Sequence, residues 1–421
     1  MVLEIKLSNF FSIKEEIKLD LRAANIQSKM AKDLSENIFS FGKENVIKTL
    51  ALYGANASGK SNIIKAIRFC ISMILFSHNH NANTLFNFMP FKFDGFNDKS
   101  STFYIRFVHK GIEYEYSFEL TKEQIIKESL YYYPKGRITK VFERDESAGV
   151  DKKSKYTFGG QILRPYDVAE STSNKTLFIT RASQMDREIA KEVFNYFNNN
   201  FILDIPLLTG PQFEFLFNMY KEDLLLAFQF ADSDIVNIEL TKEFLAIPKI
   251  LRVNTEADSR TVTMSKDGDV EKIKILSYHK RNPQIAFDFM SEESEGTRVL
   301  FFRLLTIIDV AKTNKTLLLD ELEISLHPDI VDYLLKIFHK STQAQLIFAT
   351  HSLNLLDLKK LRKDQIYFCN KKEDCSTEVY SLYDFNDFRD TLDLEKAYLQ
   401  GRFNAIPYIN DSDTNILRLV Q

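Results

Sequence analysis

The sequence predicts an α/β protein: a doubly wound, largely parallel sheet that also carries an antiparallel β meander and a helical insertion. Three observations carry that prediction. The strand Lys48-Thr49-Leu50-Ala51-Leu52-Tyr53 is apolar enough to be buried on both faces, as central parallel strands are, and it runs straight into a glycine-rich turn followed by a helix. Beyond Gly296, helix and strand patterns alternate: helix 298–311, strand 316–320, helix 329–340, strand 345–349, helix 352–360 and strand 365–369. Between Met89 and Lys140 apolar residues recur instead at every second position.

Taken in order, residues 2–8 and 14–21 alternate with period two around Asn9-Phe10-Phe11-Ser12, so the chain opens with strands. Ile64, Ile67, Ile71 and Leu75 have helical spacing and predict a helix of about four turns after the glycine-rich turn. Thr102–Val108 and Tyr114–Leu120 form a meander around a Lys110-Gly111 turn. Residues 144–160 are polar and read as an exposed loop, and Thr176–Thr180 reads as a short strand. Helical character runs from Met185 to about Phe230, with Ile189, Val193 and Phe197 at four-residue steps, and strands resume at Thr261–Met264 and Lys272–Leu276. The chain divides on this reading into an N-terminal lobe, 1–184, a helical insertion, 185–255, and a C-terminal lobe, 256–421.

Composition excludes several classes. With 421 residues and a hydrophobic fraction of 44%, the chain can bury a large core. Lys and Arg total 55 against 58 Asp and Glu, a net charge of −3, so any nucleic-acid contact must be a local patch. Candidate patches are Lys359-Lys360-Leu361-Arg362-Lys363, Lys152-Lys153-Ser154-Lys155 and His279-Lys280-Arg281, although charge runs are usually solvated faces. Cys70, Cys369 and Cys375 frame neither a zinc site nor a disulfide scaffold, which suits a reduced, cytoplasmic protein. The most apolar stretches are too short or too interrupted, by Ser72, Arg303 and Thr306, to cross a bilayer, so no membrane association is expected.

Gly54-Ala55-Asn56-Ala57-Ser58-Gly59-Lys60-Ser61 satisfies G-x-x-x-x-G-K-[ST] between a strand and a helix, the setting that the motif needs. Backbone N–H groups of such a loop, including those around Asn56, Ser58 and Asn62, can curl about a β-phosphate. The helix N-terminus adds its partial positive charge. Lys60 would neutralise the β- and γ-phosphates of ATP, and the Ser61 hydroxyl would ligate Mg²⁺. Thr316-Leu317-Leu318-Leu319-Asp320-Glu321 is an apolar strand ending in two acids, and in a parallel sheet such ends face the ligand crevice. Asp320 is expected beside the Mg²⁺ and Glu321 beside the attacking water. The next strand ends at His351, placed to hydrogen-bond the γ-phosphate or the water.

These residues carry a recognisable likeness. The set resembles the ABC-type ATPase heads shared by SMC proteins, the OLD family and the bacterial "AAA family" ATPases of phage-defence and abortive-infection operons, of the RloA and AriA kinds. The matching elements are Leu7-Ser8-Asn9-Phe10-Phe11-Ser12, the Gly54–Asn62 loop, Asp320-Glu321-Leu322-Glu323-Ile324-Ser325-Leu326-His327-Pro328, Thr350-His351-Ser352, and Ala397 to Pro407. The resemblance implies that Ser294 and Gly296, within Ser291–Arg298, stand where the family has its signature and reach the ATP of the opposite subunit, with Glu295 replacing a glycine. It implies that Gln184, after an expected strand, touches Mg²⁺ and the water. It also implies a homodimer or higher oligomer with ATP sandwiched between heads, an effector protein encoded nearby, and a nucleic-acid or phage-protein trigger. An OLD-type nuclease is the rival. Only 70 residues follow His351, and Asp384, Asp387, Asp390 and Asp393 form no clear metal-site pattern. An SMC-like DNA-repair clamp would need a sustained heptad run, which residues 185–255 lack.

Overall fold

The computed structural model describes residues 1–203, 211–231, 233–246, 263–264, 269–385 and 392–407, with Ser412, Ile416 and Arg418 beyond them. The chain forms two compact units, one comprising Met1–Phe201, Leu318–Leu322 and Gln345–Gln421, the other Ile202–Leu317 and Glu323–Ala344.

The first unit begins with β1 (Val2–Ser8), β2 (Ile17–Asp20), a short helix α1 (Lys29–Asp33), the hairpin β3 (Ile38–Phe41) and β4 (Glu44–Ile47), and β5 (Thr49–Tyr53). Helix α2 (Lys60–Phe76) leads to the meander β6 (Ser101–His109), β7 (Ile112–Leu120), β8 (Ile125–Tyr132) and β9 (Thr139–Asp145). Then come α3 (Lys152–Lys155), β10 (Tyr156–Phe158), α4 (Pro165–Glu170), α5 (Phe178–Gln184), α6 (Glu188–Asn200) and β11 (Phe201–Ile202). In the second unit lie α7 (Pro211–Phe230), β12 (Ile235–Ala246), β13 (Thr263–Met264), β14 (Asp269–His279), β15 (Asn282–Asp288), α8 (Phe289–Glu292), α9 (Glu295–Thr313) and α10 (Pro328–Lys340). Strand β16 (Thr316–Leu319) spans the boundary, and β17 (Gln345–Ala349), β18 (Ile366–Lys371), β19 (Thr377–Ser381) and α11 (Leu394–Leu399) complete the first unit.

Two sheets organise the first unit. One is the seven-stranded sheet β10-β9-β8-β7-β6-β1-β2, and the other is the six-stranded sheet β11-β16-β17-β5-β18-β19. Strand β5 pairs in parallel with both β17 and β18 and is buried along its whole length, the expected result for the apolar Leu50, Ala51 and Leu52 of a central parallel strand. The sheets are sutured by a buried glutamine: the Gln345 amide accepts from Val2 N–H at 2.7 Å and donates to Val2 C=O at 2.9 Å, replacing a missing backbone partner. In the second unit α7 packs Phe213, Phe217 and Phe228 against Phe301 of α9.

The architecture agrees with the predicted class, and four local expectations are corrected. Thr176–Thr180 is not a strand, because Phe178 opens α5. Its first turn is held by a buried network: Glu128 accepts from Phe178 N–H at 2.6 Å and Ile179 N–H at 2.9 Å, and Arg144 donates to the Thr176 and Ser173 carbonyls. A distant carboxylate thus caps a short apolar run that local pattern cannot assign. Residues 352–360 form a 3₁₀ turn, Leu353–Leu355, not a helix; the Asp357 carboxylate bonds Lys359 N–H and favours a turn. Within 144–160 the expected loop holds the end of β9, α3 and β10. Strand β12 follows the helices of the insertion, and β15, an edge strand containing Pro283, lacks a readable alternation because its face is largely exposed. Residues 247–255 of the insertion, and 261–262 of an expected strand, lie outside the described residues.

Removing Glu128 strands the α5 N–H groups and leaves Arg144, itself 1% exposed, with one carboxylate fewer. Glu128→Ala is expected to cost about 3 kcal/mol and lower the melting temperature by about 3–5 °C, read by calorimetric unfolding.

Candidate functional site

The loop Gly54–Ser61 leaves the C-terminal end of β5 and enters α2 at Lys60. Two glycines are dictated by contact. A Cβ on Gly54 would lie 2.3 Å from the Cys369 carbonyl oxygen, and one on Gly59 would lie 1.9 Å from Thr377 Oγ1. Gly59 also has φ +104°, which side chains rarely adopt. Lys60 is 5% exposed and folds into the loop, its Nζ donating to Gly54 O at 2.8 Å and Ala55 O at 3.0 Å. The Asn62 amide donates to Ser12 Oγ at 2.7 Å, so the predicted Asn9–Ser12 turn abuts the loop.

The acidic strand end arrives as expected. Ser61 Oγ donates to Asp320 Oδ1 at 3.1 Å, bringing the loop hydroxyl and the carboxylate together. Glu321 follows with φ +59°, a conformation uncommon outside glycine and asparagine, and one that sequence patterns do not reveal. Leu322 N–H bonds Ala349 O at 3.3 Å and Thr350 N–H bonds Leu52 O at 3.0 Å, so the ends of β16, β17 and β5 share one edge. His351 emerges there, exposed, directly after Thr350. Sequence reasoning therefore located Lys60, Ser61, Asp320, Glu321 and His351 at one edge of one sheet.

The strand expected before Gln184 is corrected. Gln184 is the last residue of α5, not a strand end, and its Oε1 accepts from Arg181 at 3.0 Å. Thr180 of the same helix bonds the Ile74 carbonyl, roughly 21 Å along α2 from Lys60 at 1.5 Å per residue. Asp387 and Asp390 lie outside the described residues.

Ser294 and Gly296 lie in the second unit, at the start of α9. Ser294 is the helix N-cap, its Oγ accepting from Thr297 N–H at 3.1 Å, and it is exposed. Gly296 passes so close to the next segment that a Cβ would lie 2.9 Å from Ser325 O. Arg303, legible in the sequence only as an interruption of an apolar stretch, donates to Ile324 O at 3.0 Å, and burial pushes its guanidinium down to about 10 against the pull of Glu323. Both contacts tie α9 to the run after Glu321. The Leu-His-Pro motif has a local explanation too: His327 caps α10 by accepting from Asp329 N–H, and Pro328 occupies the first helical position.

The donor set suits a hard cation and a polyphosphate. The buried Lys60 ammonium reaches two carbonyls of the loop, and a hydroxyl and a carboxylate stand side by side. Among the described residues no group of three or more His, Cys, Asp or Glu could cage a metal alone. Mg²⁺ is usually bound in that way, through one or two protein oxygens plus substrate phosphate and water.

The fold and this loop define a P-loop nucleotide-binding protein of the AAA ATPase type. The family model described as "AAA domain, putative AbiEii toxin, Type IV TA system" matches residues 50–357, and the chain belongs to that family. Among solved structures, the chain is similar to the SMC head bound to the C-winged helix domain of ScpA, at 14% identity and a TM-score of 0.40, covering 94% of this chain and 99% of that one. It is similar also to the SMC head domain from Thermotoga maritima, at 13% identity and a TM-score of 0.38, covering 90% and 98%. No curated protein matches the chain. Among the described residues no helix is long and apolar enough to cross a membrane.

Close to the start of α9, His279 Nδ1 lies 3.0 Å from Asp234 and Nε2 2.9 Å from Glu293. Both bonds form only when both nitrogens carry protons. Burial pulls the imidazole down, but the hydrogen bonds and charges of Asp234 and Glu293 outweigh it, and the ring titrates above its ordinary 6.5. Its stabilising contribution is full below 6.5 and lost as pH rises through the raised value. Imidazole proton NMR is expected to show the raised titration, and Glu293→Gln to bring it down.

Proposed function

We propose that this protein is an Mg²⁺-dependent ATPase switch, in which two copies sandwich ATP and control a partner effector in anti-phage defence. The observation that carries the ATPase reading is the Ser61–Asp320 hydrogen bond beside the buried Lys60, at the sheet edge where Glu321 and His351 emerge. In the reading, residues 1–184 hold the nucleotide, 185–255 form a lid, and 256–421 supply the signature, the acids and His351. The family description, which names an abortive-infection toxin, supports the defence setting.

Each side chain has a separate task. Lys60 offers its ammonium to the β- and γ-phosphates in place of the loop carbonyls that it now contacts. Ser61 and Asp320 hold Mg²⁺, which when bound neutralises developing phosphate charge. Glu321 accepts the proton of the attacking water, and His351 hydrogen-bonds that water or the γ-phosphate. Ser294 and Gly296, at an exposed helix N-terminus, complete the site of the second copy.

Glu321→Gln keeps the shape of the side chain but removes the base. ATP is expected to stay bound by calorimetry while steady-state turnover falls at least ~100-fold; turnover at the unaltered rate would sink the assignment. Ser294→Arg is expected to leave ATP binding by single subunits intact and to abolish ATP-driven dimerisation, measured by analytical ultracentrifugation. Mixing it with Lys60→Ala protein builds one composite site with an intact loop and an intact signature, and recovery of ATPase activity is the expected result. Normal, concentration-independent hydrolysis by Ser294→Arg alone would refute the sandwich.

A further inference from the structure

We propose that Thr377 is a positioning residue for the nucleotide loop, which it holds from outside through a directed chain of hydroxyl hydrogen bonds. The inference rests on the reading of Gly54–Ser61 as that loop. Thr377 lies on β19, more than three hundred positions beyond the loop, in no motif of the sequence, and it is 5% exposed.

The direction of the chain follows from counting protons. Thr377 Oγ1 lies 3.0 Å from the Ser58 carbonyl oxygen, which can only accept, so the threonine hydroxyl donates there. Its single proton being used, the 2.7 Å contact with Ser12 Oγ must be donated by Ser12. Ser12 Oγ in turn accepts from the Asn62 amide at 2.7 Å. The order is Asn62 to Ser12 to Thr377 to the Ser58 carbonyl, each hydroxyl both accepting and donating, and such chains polarise their members cooperatively. It spans the turn between Ser58 and Asn62. The backbone fixes the same pair, because Thr377 N–H donates to Ser12 O at 2.7 Å.

The consequence lies in the Ser58–Gly59 peptide. A trans peptide is planar, with C=O and N–H pointing in opposite directions. Drawing the Ser58 carbonyl toward Thr377 therefore turns the Gly59 N–H away from Thr377. Gly59, at φ +104°, is the residue around which that peptide flips most readily once the bond is gone. A flip would present a carbonyl oxygen where an anion needs an N–H. Nearby, Lys14 Nζ bonds Asp374 at 2.9 Å and also Asp94, so an ion pair anchors the β18–β19 connection beside the turn that carries Ser12.

The test uses the full chain, with MgADP and a non-hydrolysable ATP analogue titrated by calorimetry. Thr377→Val, which keeps shape and removes the donor, is expected to weaken both ligands about five- to tenfold, the equivalent of one hydrogen bond. Thr377→Ser is expected to restore affinity to within about twofold, and in turnover the Val variant should raise KM with kcat nearly unchanged. Lys60→Ala serves as the reference. If Lys60→Ala abolishes binding while Thr377→Val leaves it intact, the positioning role is overturned. If Ser fails to rescue Val, the hydroxyl is not the cause and the proposal falls. If Lys60→Ala also binds normally, the loop reading itself is lost, and the proposal with it.

Discussion

The parallel pairing of β5 with β17 on one side and β18 on the other is the constraint on which the site depends. A strand buried on both faces cannot shift register without leaving backbone groups unpaired, so the point at which β5 ends is fixed. Gly54 departs there, and the Thr350 amide bonds Leu52 at the same level. The Cys369 carbonyl of β18 fills the space that a side chain at Gly54 would need. The loop is thus shaped by its neighbouring strands as much as by its own residues.

Buried amides close the edges of this arrangement. Gln345 mimics a peptide toward Val2, and Gln365 donates to the Thr49 carbonyl at 3.1 Å while accepting from Asn37 and from the Arg362 N–H. Each satisfies backbone groups that the sheet leaves open at the N-terminal ends of its strands, where an unpaired group would be costly. In parallel sheets the C-terminal strand ends are the edge at which ligand-binding groups gather.

What could be read in the sequence follows the range of the interactions. Lys60, Ser61, Asp320 and His351 belong to contiguous strand–turn patterns, and their local context located them. Strand 345–349 was legible as a continuous apolar run, and helix 329–340 because its cap is sequence-local, as His327 and Pro328 show. Helix α5 was not, since Glu128, fifty residues earlier, supplies its cap. The contacts of Arg303 and Thr377 were illegible for the same reason: each acts through a backbone carbonyl of a remote segment, Ile324 or Ser58, and a carbonyl has no residue type. The strand expected before Gln184 is a helix because its short apolar run takes a cap from the remote Glu128 carboxylate.

The order in which the strands are connected has a consequence for synthesis. Strand β5 leaves the ribosome about 290 residues before its partner β17, an interval on the order of 15–60 s at 5–20 residues per second. Throughout that time a segment with no polar face awaits both neighbours. The hairpins from β6 to β9 pair locally and can form meanwhile, covering α2 and the chain around it. The nascent protein therefore passes through a long stage in which its meander is folded and its central strand is an open edge, the stage at which chaperone capture or misassociation would act.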